Sequence, residues 1–215
     1  MNRAEIKQKS KADIAGKIGI LFVIELIIAA ISGVAGGLLS MIPGGGLVAT
    51  IIITPAFTLS SARVFLMVVR GDTPEVSHAF CGFDDFFAAF KVTFLVGLFT
   101  FLWSLLFIIP GIVKSYAYSM AIYILADNKG KSARECIAES QEMTKGHKAE
   151  LFVLHLSFIG WIFLSILTLG IALIWVVPYM NAAYANAYET LKPAPEVLCE
   201  IPEHAAVEDT TEEVQ

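Results

Sequence analysis

VTFLVGLFTFLWSLLFIIPGIVKSYAYSMAIYILA, residues 92–126, holds 35 positions with one basic residue, Lys114, and no acidic one. As a single helix it would be about 50 Å long, too long to cross a hydrocarbon layer of about 30 Å once. Two helices joined by a tight reversal fit. Pro110 and Gly111 are the predicted reversal, because proline removes a backbone donor and glycine permits a sharp turn. In hydrocarbon each peptide group must bond within its own segment, so apolar runs of this length are read as helices.

The same reasoning extends in both directions. Ile18 to Leu39 gives a first span, MIPGGG at 41–46 a turn, and Leu47 to Val69 a second span. Leu151 to Leu191 is 41 residues, about 60 Å as one helix, and Gly170 is its predicted reversal. The fold class is therefore all-α: a polytopic helical membrane protein with six transmembrane helices arranged as three hairpins. Residues 1–191 form this membrane domain and 192–215 an acidic, disordered cytoplasmic tail. Composition agrees, with 56% hydrophobic residues, 16% charged and a mean hydropathy of +0.70, which excludes an ordinary soluble domain. The amino-terminal apolar run is too long for a signal-peptide core and reads as a retained span.

Charge placement is an independent test. Arg3, Lys7, Lys9, Lys11 and Lys17 precede the first span, and Arg70 and Lys91 flank the loop after the second. Lys129, Lys131, Arg134, Lys145 and Lys148 lie between the fourth and fifth, and Lys192 follows the sixth. The turns near residues 43 and 169 carry none. The positive-inside rule then places both termini in the cytoplasm, in agreement with an even number of crossings. The net charge of −5 comes from the tail, and no clustered positive face indicates a nucleic-acid partner.

Two connectors are expected to be cytoplasmic interfacial amphipathic helices. In the first, Thr73 caps, Pro74 opens the helix, and Val76, Phe80, Phe83, Phe87 and Phe90 recur as one apolar stripe, with Gly82 a candidate bend. In the second, Ser132 and Glu135 form a capping box, Cys136, Ile137, Ser140 and Met143 face inward, and Gly146 stops the helix. This second helix is a candidate docking surface for a soluble partner. Cys81, Cys136 and Cys199 share no metal-ligand spacing, so free thiols are expected, and neither cofactor nor metal is implied.

Ionisable groups at membrane depth cost about 2.5–3.5 kcal/mol each on insertion scales. Glu25 is the deepest and needs a partner, a proton or a wet cavity. Arg63 and Lys114 are near enough to span ends to snorkel. His155 is expected to be a neutral imidazole bonded to a neighbouring helix. Asn181, Tyr184 and Tyr188 share one face, and with the alanines at 182, 183, 185 and 187 the stretch resembles a small-residue packing seam. Pro178 and Pro55, each followed by polar residues, occupy comparable places and hint at a worn internal repeat. Glu25, Arg63, Lys114, Tyr116, His155 and Asn181 are the candidate intramembrane polar site.

FTFLWSLLFIIPGIVKSYAYSMAIYILADN (99–128), SAREC (132–136), EMTKGHKAELFVLHLSFIGWIFLSILTLG (142–170) and WVVPYMNAAYANAYE (175–189) resemble the domain-of-unknown-function 975 family of bacterial integral membrane proteins. MNRAEIKQKSKADI and PAFTLSSARVFLMVVRGDTPEVSHAFCGF are similar to the same family, so the resemblance spans residues 1 to 191. It implies a multi-pass protein of the bacterial cytoplasmic (inner) membrane and no particular chemistry. No HExxH, GxSxG or Walker pattern occurs, and an enzyme is not expected. The leading expectation is a non-enzymatic scaffold or accessory module acting through lipid, a membrane-protein partner or a homo-oligomer. The alternative is a transporter or channel for a small solute or ion built on the intramembrane polar residues.

Overall fold

The computed structural model describes residues 3–42, 45–168, 170 and 172–192. Among them all regular structure is helical: α1 (Arg3–Asp13), α2 (Ile18–Leu39), α3 (Gly45–Val69), a short 3₁₀ helix (Val76–Phe80), α4 (Phe86–Leu106), α5 (Ile108–Tyr118), α6 (Ala121–Asp127), α7 (Ala133–Met143), α8 (Lys148–Leu167) and α9 (Leu173–Leu191). Five stretches are long and apolar enough to cross a membrane: Ile18–Leu39, Ile51–Val69, Phe86–Leu106, Ile109–Asp127 and Lys148–Ser165. The expected tail at 193–215, with Cys199, lies outside the described residues, as do Pro43 and Gly44 of the first turn.

The structure departs from the sequence reading at four points. Residues 3–13, read only for the basic charge ahead of the first span, form a helix, α1, whose Ile6 and Ser10 are buried, followed by buried Ile14. A face of two aliphatics and one serine is too weakly apolar to show as amphipathic in sequence. The phenylalanine stripe from Val76 to Phe90 is not one helix. Its chain breaks at 81–85, because Gly82 presses on α3 where a Cβ would collide with the Ala56 carbonyl and with Ser60. The Gly82 N–H donates to Ser60 Oγ at 2.8 Å, and Phe80 and Phe83 pack on Phe57 of α3.

The third correction concerns the second reversal, which falls at Phe107, extended at φ −155 and ψ 138, rather than at Pro110 and Gly111. Pro110 sits in the first turn of α5, where its missing N–H leaves no intrahelical bond unmade. Gly111 serves close approach instead, since a Cβ there would strike Ser104 of α4. Finally, the return segment is two helices, α5 and α6. Ser140 of α7 heals the break between them, accepting the Met120 N–H at 3.2 Å and donating to the Ala117 carbonyl at 2.8 Å. The Ser132–Glu135 capping box and the reversal around Gly170, with φ +90, are as expected.

A repeat is visible elsewhere than at Pro55 and Pro178. Residues 3–26 and 133–156 carry the same elements in register 130 residues apart: helix, four-residue turn with a left-handed glycine (Gly16 φ +79, Gly146 φ +85), then a long helix. Buried positions correspond, Ser10 with Ser140, Ile14 with Thr144, Leu21 with Leu151 and Ile24 with Leu154. Each hairpin is preceded by a short segment that packs on the return arm of another: α1 on α9, the 3₁₀ segment on α3, α7 on α6. The return arms α3, α6 and α9 meet at the centre, α3 touching both others. The core fills the end of the molecule carrying these short segments, here the base. Toward the hairpin tips packing thins, and α2 buries no residue beyond Ile24, nor α4 beyond Val92.

Candidate functional site

Glu25 lies seven residues into α2, about 10 Å from its basal end by helical rise. One carboxylate oxygen, Oε1, accepts from Ser61 Oγ of α3 at 2.8 Å and from Asn181 Nδ2 of α9 at 3.2 Å. Neighbouring Ile24 anchors this turn in the core and leaves Glu25 half-buried at the junction of three helices. The group borders a cavity of about 280 Å³ that continues toward the tips along Thr58 and Thr54 of α3 and Ser32 of α2. Spacings of seven on α2 and of four and three on α3 put these polar groups on one face of each helix. Toward the base the file ends: Leu21 and Phe65, one turn below Glu25 and Ser61, are fully buried.

His155 occupies the position of Glu25 in the second repeat. Its Nδ1 lies 2.5 Å from the Tyr184 hydroxyl on α9, as expected of an imidazole bonded to a neighbouring helix. Tyr116 stands edge-on to both His155 and Phe152, with ring centroids 6.2 and 5.8 Å away. Tyr184 is one turn from Asn181, so the acidic and aromatic clusters share α9. Counting from Pro55 and Pro178, Ser61 and Tyr184 are also equivalent, so each repeat joins its outgoing polar residue to the same position of its return arm.

The other two candidates stand apart. Arg63 does not snorkel. It is 6% exposed, forms an ion pair with Asp85 at the start of α4 and donates to the Cys81 carbonyl at 2.5 Å. A carboxylate supplied from the loop makes burial of the cation tolerable, which snorkelling logic did not anticipate. Lys114 lies over the Trp103 ring at 5.0 Å. The candidate set thus divides into Glu25 with Asn181, His155 with Tyr116, and two cations elsewhere.

A further polar centre, absent from the sequence reading, ties the basal ends of the three return arms. Arg70 after α3 reaches Asp127 of α6 at 2.6 Å and Glu189 of α9 at 2.7 Å. Asp127 also accepts from Lys192 at 2.5 Å and from the Tyr188 hydroxyl at 3.0 Å. Partial burial disfavours the Arg70 charge, but the bonds to Asp127 and Glu189 outweigh it and hold its pKa above the ordinary value. An acid at a helix C-terminus opposes the dipole, and two cations offset that here. Only the oddity of Asp127 ending an apolar run could have signalled this centre. Among the described residues no group of His, Cys, Asp or Glu is placed to hold a metal ion. Burial pushes the Cys136 thiol up to about 11, so it is held as the protonated thiol.

Hairpins of apolar helices around a small acid-bearing polar chamber define the molecule as a helical protein with a membrane-compatible exterior and a site at its centre. The chain belongs to the family described as Protein of unknown function (DUF975), which it matches over residues 1–114 and 107–194. No curated protein and no solved structure matches it.

Proposed function

We propose that this is a non-enzymatic, six-crossing protein of the bacterial inner membrane that admits a small cationic solute to Glu25 for transfer across the bilayer. The observation that carries the reading is the convergence of Glu25, Ser61 and Asn181 on a polar file running from mid-helix toward the hairpin tips. The carboxylate uses one oxygen for both donors, and its Oε2 makes no hydrogen bond among the described residues. A chamber with an anionic acceptor and hydroxyl walls suits a cation that sheds water on entry. Its closed base and tipward opening suit one state of an alternating gate.

The sixth crossing in this reading is α9. It is 19 residues long, about 28 Å, and its polar residues Asn181, Tyr184, Asn186 and Tyr188 turn toward other helices rather than lipid. Lys and Arg on the basal connectors support a cytoplasmic base and cytoplasmic termini in this reading. The scaffold reading is weakened at one of its supports, because the apolar face of α7, the candidate docking helix, packs on the protein's own α4, α5 and α6.

The test is uptake of labelled sodium, rubidium and methylammonium into proteoliposomes containing the full chain. Uptake above empty liposomes for at least one, falling about tenfold or more in Glu25→Gln but not in Lys114→Met, is the expected result. No uptake of any of the three by the parent under either gradient direction would overturn the proposal.

A further inference from the structure

A second cavity, of about 470 Å³, lies at the base between the end of α3, the 3₁₀ segment with its following loop, and the end of α6. It is unrelated to the Glu25 chamber, and its walls carry both signs of charge: Arg63, Arg70 and Lys129 on one hand, Asp72 and Asp84 on the other, with Arg70 already spent on Asp127 and Glu189. These groups are differently committed. The two Nη atoms of Arg63 hold Asp85 and the Cys81 carbonyl, yet its buried Nε–H has no partner. The Lys129 ammonium and the Asp72 and Asp84 carboxylates form no ion pair among the described residues.

Mixed charge, only part of it spent, selects against simple ions. A lone anion drawn to Arg63 and Lys129 would meet two carboxylates, and a lone cation drawn to the carboxylates would meet the guanidinium and the ammonium. A molecule bearing both charges a few bonds apart satisfies each wall. Depth also selects. Arg63 is seven residues from Arg70, about 10 Å inside the basal end, and the rest of the cavity lies beyond it, at the level where an apolar helix bundle meets lipid phosphates. Asp85 and the Cys81 carbonyl fix the guanidinium beforehand, so a phosphate would meet an oriented donor.

We propose that this basal cavity binds a zwitterionic aminophosphate group, a phosphate ester with a primary ammonium two carbons away, as in a phosphoethanolamine headgroup. The phosphate sits against Arg63 and Lys129, and the ammonium against Asp84 and Asp72. The same chemistry occurs in a bilayer lipid and in a soluble ester, and the experiment separates them.

The full chain, purified in a phosphate-free detergent, is titrated calorimetrically with glycerophosphoethanolamine, dihexanoyl-phosphatidylethanolamine and glycerol phosphate. The two zwitterions are expected to bind and to compete, both more tightly than glycerol phosphate. Lys129→Met is expected to weaken both about fivefold or more, and Asp84→Asn to weaken both while leaving glycerol phosphate no weaker. Both residues are solvent-facing, so neither change threatens folding, and circular dichroism confirms it. A lipid form bound about tenfold more tightly than the soluble ester assigns the site to the bilayer, whereas equal affinity assigns it to a soluble metabolite. The proposal is overturned if neither zwitterion binds at millimolar concentration, if glycerol phosphate binds as well as they do, or if both variants bind like the parent.

Discussion

Residues 3–26 and 133–156 follow one pattern of helices, with the same four-residue turn and five matched buried positions, yet they present opposite chemistry at the equivalent site. The first repeat offers Glu25 to a polar chamber. The second offers His155 to a tyrosine hydroxyl and a cluster of edge-on rings. The scaffold thus fixes where a polar residue enters the bundle, and the surrounding side chains decide whether that place stays open. Serine and threonine leave space beside Glu25, whereas Tyr116, Phe152 and Tyr184 fill it beside His155.

If the repeats are mechanically equivalent, paired substitutions should cost alike. Leu21 and Leu151 are both fully buried, and each change to alanine should lower stability by about 2–5 kcal/mol through lost contacts and a residual cavity. Thermal unfolding in detergent measures this, and a several-fold disparity would break the equivalence.

The serine pair should diverge. Ser140→Ala strands the Met120 N–H at the break between α5 and α6, at a cost of about 1–3 kcal/mol. Ser10→Ala should cost about 1 kcal/mol or less, because Asn186, which donates to Ser10 Oγ at 3.1 Å, keeps Asp13 at 2.8 Å. Equal losses would mean that Ser140 does not heal the break.

The smallest effect concerns the capping box of α7. Hydrogen bonding from the Ser132 backbone N–H, followed by its side chain, holds the Glu135 carboxyl below its ordinary value of 4.5. A depressed carboxyl contributes stability that is fully present above 4.5 and is lost as pH falls through the folded value. Protection factors at the start of α7, taken relative to the intrinsic exchange rate at each pH, should therefore fall on acidification below that point, and Glu135→Gln should flatten the response. Protection that falls equally in the variant would remove the box as its cause.

Sequence disclosed the long helices because lipid-scale apolar runs admit one conformation, and it disclosed the α9 seam because alanines and tyrosines recur at helical spacing. It placed the second reversal three residues late, since proline is as comfortable in a helix's first turn as in a loop. The Glu25 partners lie 36 and 156 residues away, a separation that only the packed fold resolves. The repeat was hinted at from Pro55 and Pro178, but its firmer signature is the register of 130. Glu5 and Glu135, Ser10 and Ser140, Gly16 and Gly146, Leu21 and Leu151, Phe22 and Phe152, Val23 and Val153, and Leu26 and Leu156 are identical pairs. Aligning the two halves would have flagged Glu25 and His155 together. The burial of Arg63 is not legible in sequence because its counter-ion, Asp85, comes from a segment whose periodicity reads as one amphipathic helix.

The difference between an open acidic site and a filled aromatic one is tested most directly by water access at equivalent positions. Ile28 lines the chamber, and its counterpart Phe158 is fully buried. With Cys81, Cys136 and Cys199 replaced by alanine, Ile28→Cys should react with a small cationic thiol reagent, faster than with its anionic analogue, and Glu25→Gln should remove that preference. Phe158→Cys should stay unmodified. Inertness of Ile28→Cys, or equal labelling at both positions, would contradict the account.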